Sequence, residues 1–273
     1  MSAVVDVGAD AIEAAIRRAN DEGRPAVVAF MTAGFPDKAS FVANLGALTE
    51  AADVVEIGVP FTDPMADGMT IQRASQTALA NGVSLDWILR TLADRNWACP
   101  LLLMGYLNPM LAMGYETLAR RARESGVSGF IVPDLPYEES APMRTPLEAQ
   151  GLALVQLVTP VTPADRLATL CAASGGFVYA VTVTGITGGA KAGAPTGDAA
   201  PDLERVADYL ARVRAVSERP VCAGFGIRGP DQVAALAAHA DGVVVGSRLI
   251  ELAEQGEDVA SFVRSLHIQA GAA

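Results

Sequence analysis

The chain is expected to fold as an α/β protein, a single-domain (β/α)8 TIM barrel over residues 1–273 with an extra helix at its N-terminus. Three observations carry that expectation. Eight apolar runs alternate with stretches of helical periodicity along the whole sequence, and alternation of that kind builds a parallel sheet. The runs are continuously apolar rather than alternating, as strands are when helices cover them. The length is 273 residues, 51% of them hydrophobic, and a closed barrel of eight units takes ~250 residues. No linker or shift in composition divides the chain.

The elements follow in order. Residues 9–22 carry Ile12, Ala15, Ile16 and Ala19 at helical spacing, and Gly23 stops them. This is the extra helix, because it precedes the first strand, 25–32. Gly34 and Pro36 break that strand, and 38–51 place Phe41, Leu45 and Leu48 on one helical face. The second strand, 53–58, holds Val54, Val55 and Ile57 around a single acid, Glu56. Residues 70–80 and 84–94 are helical, separated by Asn81-Gly82. The third strand is 100–105, followed by a helix over 109–125 that ends at Gly126. The fourth strand is 129–134, followed by a helix over 138–150, and the fifth is 152–159. Thr162-Pro163 supplies a cap and a first-turn proline for a helix over 163–173. The sixth strand, 177–183, runs into a loop rich in Gly, Ala and Thr, 184–200. A helix over 202–217 leads to the seventh strand, 220–224. A short helix, 230–239, leads to the eighth, 241–247, and 248–267 is helical.

Composition excludes several classes of function. The net charge of −11 makes nucleic acid a poor partner, because phosphate contacts need clustered Lys and Arg. Cys99, Cys171 and Cys222 are an odd number, widely spaced and without a CxxC pair. They argue for a reducing compartment, the cytoplasm, and against a disulfide framework or zinc site. His239 and His267 are the only histidines, so no metal site built on histidine is expected. Acids at Asp6 and Asp10 and the lack of a long apolar run make neither a leader nor a membrane span expected.

In such a barrel the chemistry sits at the C-terminal ends of the strands. A carboxylate inside an apolar strand must be paired or used, which singles out Glu56. Asp67 lies on the loop that follows, between Ala66 and Gly68. Its competing reading is a cap for the helix that starts near Thr70, and that of Glu56 is a tie to a neighbouring hydroxyl. As a pair they fit acid–base work, one shuttling a proton and the other accepting a ligand N–H. Asp63 precedes Pro64 and is read as shaping the loop. Glycines cluster after strands seven (Gly224, Gly226, Gly229) and eight (Gly246, then Ser247). Bare backbone and a helix start at those positions suit a phosphate group, although glycines also serve tight turns. Met65, Met69, Met104, Met110 and Met113 could line an aromatic ligand, though core filling is the commoner use.

Six segments then point to one family. VEIGVPFTDPMADGMTIQ (55–72), MGYLNP (104–109), IVPDLP (131–136), TGITG (184–188), GFGI (224–227) and VGS (245–247) strongly resemble the tryptophan synthase alpha subunit, over residues 24 to 250. The resemblance implies retro-aldol cleavage of indole-3-glycerol phosphate to indole and glyceraldehyde 3-phosphate, with no cofactor in this subunit. It casts Glu56 as the general acid/base at indole C3 and at the glycerol hydroxyl, and Asp67 as the acceptor of the indole N–H. It assigns Gly188, Gly226, Gly246 and Ser247 to the phosphate. Phe30, Ile71, Tyr106, Ile131, Tyr179 and Phe225 then surround the indole, and Thr187 is a lid residue that touches Asp67. It also implies a beta subunit carrying pyridoxal phosphate, joined in an alpha2beta2 tetramer and receiving indole through a tunnel. Loops 59–72 and 184–200 would serve as lids and as the contact with it. The chain departs from the family in having Met69 where Pro is usual, and in the Gly/Ala-rich lid after Gly188. The alternative is a stand-alone lyase that releases free indole. Related phosphate-binding barrel enzymes would want a Lys at a strand end, and none is there. A non-catalytic binding partner would not need both acids.

Overall fold

A computed structural model describes residues 6–182, 203–224 and 226–269. Eight strands run β1 (Ala26–Thr32), β2 (Val54–Gly58), β3 (Leu101–Met104), β4 (Val127–Ile131), β5 (Ala153–Val158), β6 (Val178–Val181), β7 (Val221–Gly224) and β8 (Gly242–Val245). Each pairs in parallel with the next, and β8 pairs with β1, so the barrel is closed. Around it lie α1 (Ala9–Asp21), α2 (Lys38–Thr49), α3 (Met69–Ala80), α4 (Leu85–Ala93), α5 (Leu107–Met113) and α6 (Tyr115–Glu124). They continue as α7 (Ala141–Ala149), α8 (Ala164–Ala173), α9 (Leu203–Arg214), α10 (Pro230–Leu236), α11 (Ser247–Gln255) and α12 (Val259–Ser265). No helix among the described residues is long and apolar enough to cross a membrane.

Strand periodicity sorts the core into two shells. Val27, Ala29, Met31, Val55, Ile57, Leu101 and Leu103 face outward and pack with the helices. Val28, Val54, Leu102, Val155, Tyr179, Cys222 and Val244 fill the interior. The extra helix α1 belongs to the interior shell: Ile12, Ala15, Ile16 and Ala19 pack on these residues and stop the N-terminal mouth of the barrel. Backbone and side-chain bonds hold it there, from Ala9 N–H to the Gly151 carbonyl and from Asn20 Nδ2 to the Asp241 carbonyl.

That same end uses its acids structurally. Asp53 accepts both nitrogens of Arg24, at 2.7 and 2.8 Å, and the Val27 N–H at 2.8 Å. Asp241 accepts the Val221 N–H at 2.7 Å. Each carboxylate thus ties the start of one strand to the strand beside it.

Several expected boundaries move, and three of the moves have a plain physical reason. The helix expected over 109–125 is two, α5 and α6, parted at Gly114 with φ +80°. The helix expected over 248–267 is also two, because Gly256 turns left-handed at φ +70° and Asp258 then caps α12 through the Ser261 N–H. Apolar periodicity runs through both breaks, and only the glycine conformation marks them. The fourth strand begins at Val127 and leaves the ladder after Ile131, earlier than the expected 129–134. Pro133 cannot donate to a ladder, and Asp134 instead accepts the Leu107 N–H at 2.9 Å, at the start of α5.

Candidate active site

Alternation along β2 turns Val54 and Glu56 inward while Val55 and Ile57 face the helices. Glu56 stands level with Phe30 on β1 and Leu102 on β3. It is 1% exposed, and its Oε2 has no hydrogen-bond partner among the described residues. The reading of Glu56 as a carboxylate tied down by a neighbouring hydroxyl therefore gains no support at that oxygen. Burial, reinforced by the negative charge of Asp67, pushes its pKa up to about 8. A carboxyl group in that condition carries its proton at neutral pH.

Asp67 is placed by a loop with several ties. The Ala66 N–H donates to the Tyr106 hydroxyl at 2.9 Å, which leaves the phenolic proton for the Asp67 carboxylate. Phe61 stacks on Tyr106, the ring centroids 5.1 Å apart. Gln72 Nε2 donates to the Asp67 carbonyl at 2.8 Å. Partial burial raises the Asp67 pKa to about 6, and the Tyr106 hydrogen bond opposes the rise. The N-cap of α3 is Gly68, without a side-chain bond, so the carboxylate of Asp67 does not cap that helix. Asp63 instead accepts from the Thr62 hydroxyl on the exposed part of the loop.

Glu56 and Asp67 open into one cleft at the C-terminal end of the barrel, with about 630 Å³ of atom-free space counted to its mouth. Phe30, Ile71, Met104, Ile227, Tyr179 and Val244 supply apolar walls, and Gly226, Gly246 and Ser247 lie along it. Gly226 has φ +82° and no described atom within 4 Å of where a Cβ would stand, so it offers bare backbone. Ser247 is the first residue of α11, where helical N–H groups lack internal partners.

The remaining glycines do a different job. A Cβ on Gly224 would meet the Tyr179 ring and hydroxyl at 2.4 Å, and one on Gly58 would meet the Phe30 ring at 2.7 Å. Gly246 is close to the Phe30 ring as well, at 3.2 Å. Gly224 and Gly58 in particular leave room for the Tyr179 and Phe30 rings.

Of the residues singled out in the sequence, the cleft gathers Phe30, Glu56, Asp67, Ile71, Tyr179, Gly226, Gly246 and Ser247. Tyr106 stands behind Asp67 rather than among the lining residues. Ile131 is fully buried in the interior shell with Leu102 and Tyr179. Thr187, Gly188, Phe225 and the 184–200 lid lie outside the described residues. Three wall residues carried little or no sequence signal of their own. Met104 was one methionine among five, of which Met110 is core and Met65 and Met69 are 73% and 80% exposed. Val244 shares the inward face of β8 with Gly246, and strand alternation could have found it. Ile227 sits in an irregular turn, where no periodicity points to it.

Chemically the cleft joins a protonated carboxyl, an ionisable acceptor, apolar walls and an end of glycine backbone beside a helix start. Comparison with known proteins shows what the chain is similar to. A family model described as "Tryptophan synthase alpha chain" matches residues 16–272. The chain is 48% identical over 257 residues to the tryptophan synthase alpha chain of Desulfovibrio desulfuricans, covering 92% of this chain and 97% of that one. Among solved structures it is similar to tryptophan synthase of Mycobacterium tuberculosis, with a TM-score of 0.83, 31% identity and coverage of 97% and 100%. It is also similar to the tryptophan synthase subunit alpha of Legionella pneumophila, with a TM-score of 0.81, 30% identity and coverage of 94% and 96%.

Proposed function

The chain belongs to the tryptophan synthase alpha chain family, and from that premise we propose that its cleft performs the retro-aldol cleavage of indole-3-glycerol phosphate to indole and glyceraldehyde 3-phosphate. The single observation that carries this is that the carboxyl groups of Glu56 and Asp67 line one cleft, where burial raises their pKa values to about 8 and about 6. Between those values Glu56 holds a proton while Asp67 is ionised, the division of labour this cleavage requires.

The indole lies between Phe30, Ile71, Met104 and Tyr179, and the phosphate rests on Gly226, Gly246 and Ser247. Glu56 gives its proton to indole C3. Positive charge then develops over the ring nitrogen, and Asp67 accepts the N–H and offsets that charge only as it forms. The bond from C3 to the glycerol carbon breaks, its electron pair returning to the ring. The Glu56 carboxylate takes the proton of the adjacent hydroxyl, which becomes the aldehyde, and the acid is restored. Tyr106 holds Asp67 in place.

The chain needs no cofactor of its own in this scheme. Its product passes to a beta subunit carrying pyridoxal phosphate, in an alpha2beta2 assembly in the cytoplasm. The loop over 59–72, with Met65 and Met69 exposed, faces that partner.

The test is indole release from indole-3-glycerol phosphate, with and without a cognate beta subunit. Cleavage that rises when the partner is added is expected. Cleavage indifferent to the partner would favour a stand-alone lyase, and no cleavage in either case would overturn the assignment.

A further inference from the structure

The turn after β7 is held by a side chain that the scheme above does not use. Gln232 lies in the first turn of α10, which begins behind Gly229 and has no side-chain cap of its own. Its carboxamide reaches back past that glycine. Oε1 accepts the Arg228 N–H at 2.6 Å, and Nε2 donates to the Gly226 carbonyl at 3.1 Å. A glutamine at the third helical position commonly returns to the N-cap N–H. Here it reaches further and bridges the two residues on either side of Ile227.

Both Gly226 and Ile227 line the cleft. Gly226 is in the left-handed region at φ +82°, and among the described residues no atom lies within 4 Å of where a Cβ would stand. Glycine loses much conformational freedom on ordering, and a two-point bridge offsets that loss. A second tie runs from Arg228 to Glu251 on α11, at 3.2 and 2.7 Å. Arg228 is largely exposed, and exposed ion pairs of this kind contribute little. The carboxamide is the stronger restraint.

We propose that Gln232 is a positioning residue for the phosphate end of the cleft: its carboxamide clamps Gly226 and Arg228 so that the Gly226 backbone stays in anion-binding geometry. This rests on the assignment of Gly226, Gly246 and Ser247 to the substrate phosphate. The position needs one donor and one acceptor together. A carboxylate would keep the Arg228 bond, lose the Gly226 bond and set a negative charge near a dianion.

The experiment compares wild type, Q232M and Q232E in two readouts: calorimetric titration with glycerol 3-phosphate, and steady-state cleavage of indole-3-glycerol phosphate. For Q232M the glycerol 3-phosphate Kd and the substrate KM are expected to rise roughly tenfold, as the loss of two exposed hydrogen bonds allows, while kcat stays within about threefold. Q232E is expected to weaken phosphate binding further. A residue that only starts α10 would lower the unfolding midpoint and leave Kd and KM alone. Values of Kd and KM within about twofold of wild type in both variants would overturn the inference, whatever happens to stability. If wild type binds glycerol 3-phosphate without cleaving the substrate, and Q232M binds it more weakly, the clamp stands and the lyase reading falls. If wild type cleaves and Q232M matches it in both readouts, the clamp falls alone.

Discussion

Glu56 is a carboxyl group 1% exposed at the cleft, with one oxygen unpartnered among the described residues. The consequence for stability has a definite sign. Its pKa is raised from 4.5 to about 8, so the folded protein keeps a proton that the unfolded chain gives up. Stability therefore falls as pH rises between those two values and is level above the upper one. Glu56→Gln removes that dependence. Urea unfolding at about pH 5 and about pH 9 should show the variant gaining on wild type at the higher pH, while indole release nearly vanishes. A constant difference between the two proteins would mean the carboxyl is not buried in its neutral form. The pair also sets a rate profile: kcat/KM should rise through about 6 as Asp67 ionises and fall through about 8 as Glu56 loses its proton. Tyr106→Phe removes the hydroxyl that favours the Asp67 anion, so the lower limb should move upward. Asp67→Asn should keep phosphate binding and lose rate, and unchanged kinetics would leave the loop as the only role of this residue.

Elements matter here through the places where two of them nearly touch. β6 and β7 pair with Tyr179 level with Cys222, and the Tyr179 side chain lies across Gly224. A methyl group there would stand 2.4 Å from the ring and hydroxyl, closer than any relaxed contact. Gly224→Ala should therefore displace Tyr179 and cost about 1–3 kcal/mol, as overpacking does, with a rise in KM because a wall of the cleft has moved. Denaturant unfolding and steady-state kinetics on the same preparation check both. An alanine variant with wild-type KM would show that Tyr179 can yield without disturbing the cleft. The same proximity explains how the glycine signal in the sequence was divided. Gly226 presents bare backbone, whereas Gly224 and Gly58 make room for aromatic rings. A glycine looks alike in sequence whether it admits a ligand, a ring or a turn.

Across the whole molecule the two ends of the barrel use carboxylates in opposite ways. At the N-terminal end Asp53 is fully engaged by Arg24 and the Val27 N–H. At the C-terminal end Glu56 has an oxygen to spare. Asp53→Ala would leave the half-buried Arg24 guanidinium without its main partner, and should cost about 3–5 kcal/mol. Because the cleft is at the far end, KM in the folded fraction should stay at the wild-type value. A large change in KM would show that the two ends are coupled.

Much of this was legible before any coordinates. The eight units follow from the alternation of apolar runs and helical periods, and Glu56 stands out because a carboxylate inside an apolar strand is costly unless used, with Asp67 on the loop just after it. What period could not reveal was anything set by contact between distant segments. Closure of the barrel decided that Asp67 meets Tyr106 instead of capping α3, that Tyr106 and Ile131 stand behind the walls, and that Met104, Ile227 and Val244 form them. Local sequence governs which face a side chain presents. The curvature of a closed sheet governs what that side chain meets, and no window of the chain contains both partners.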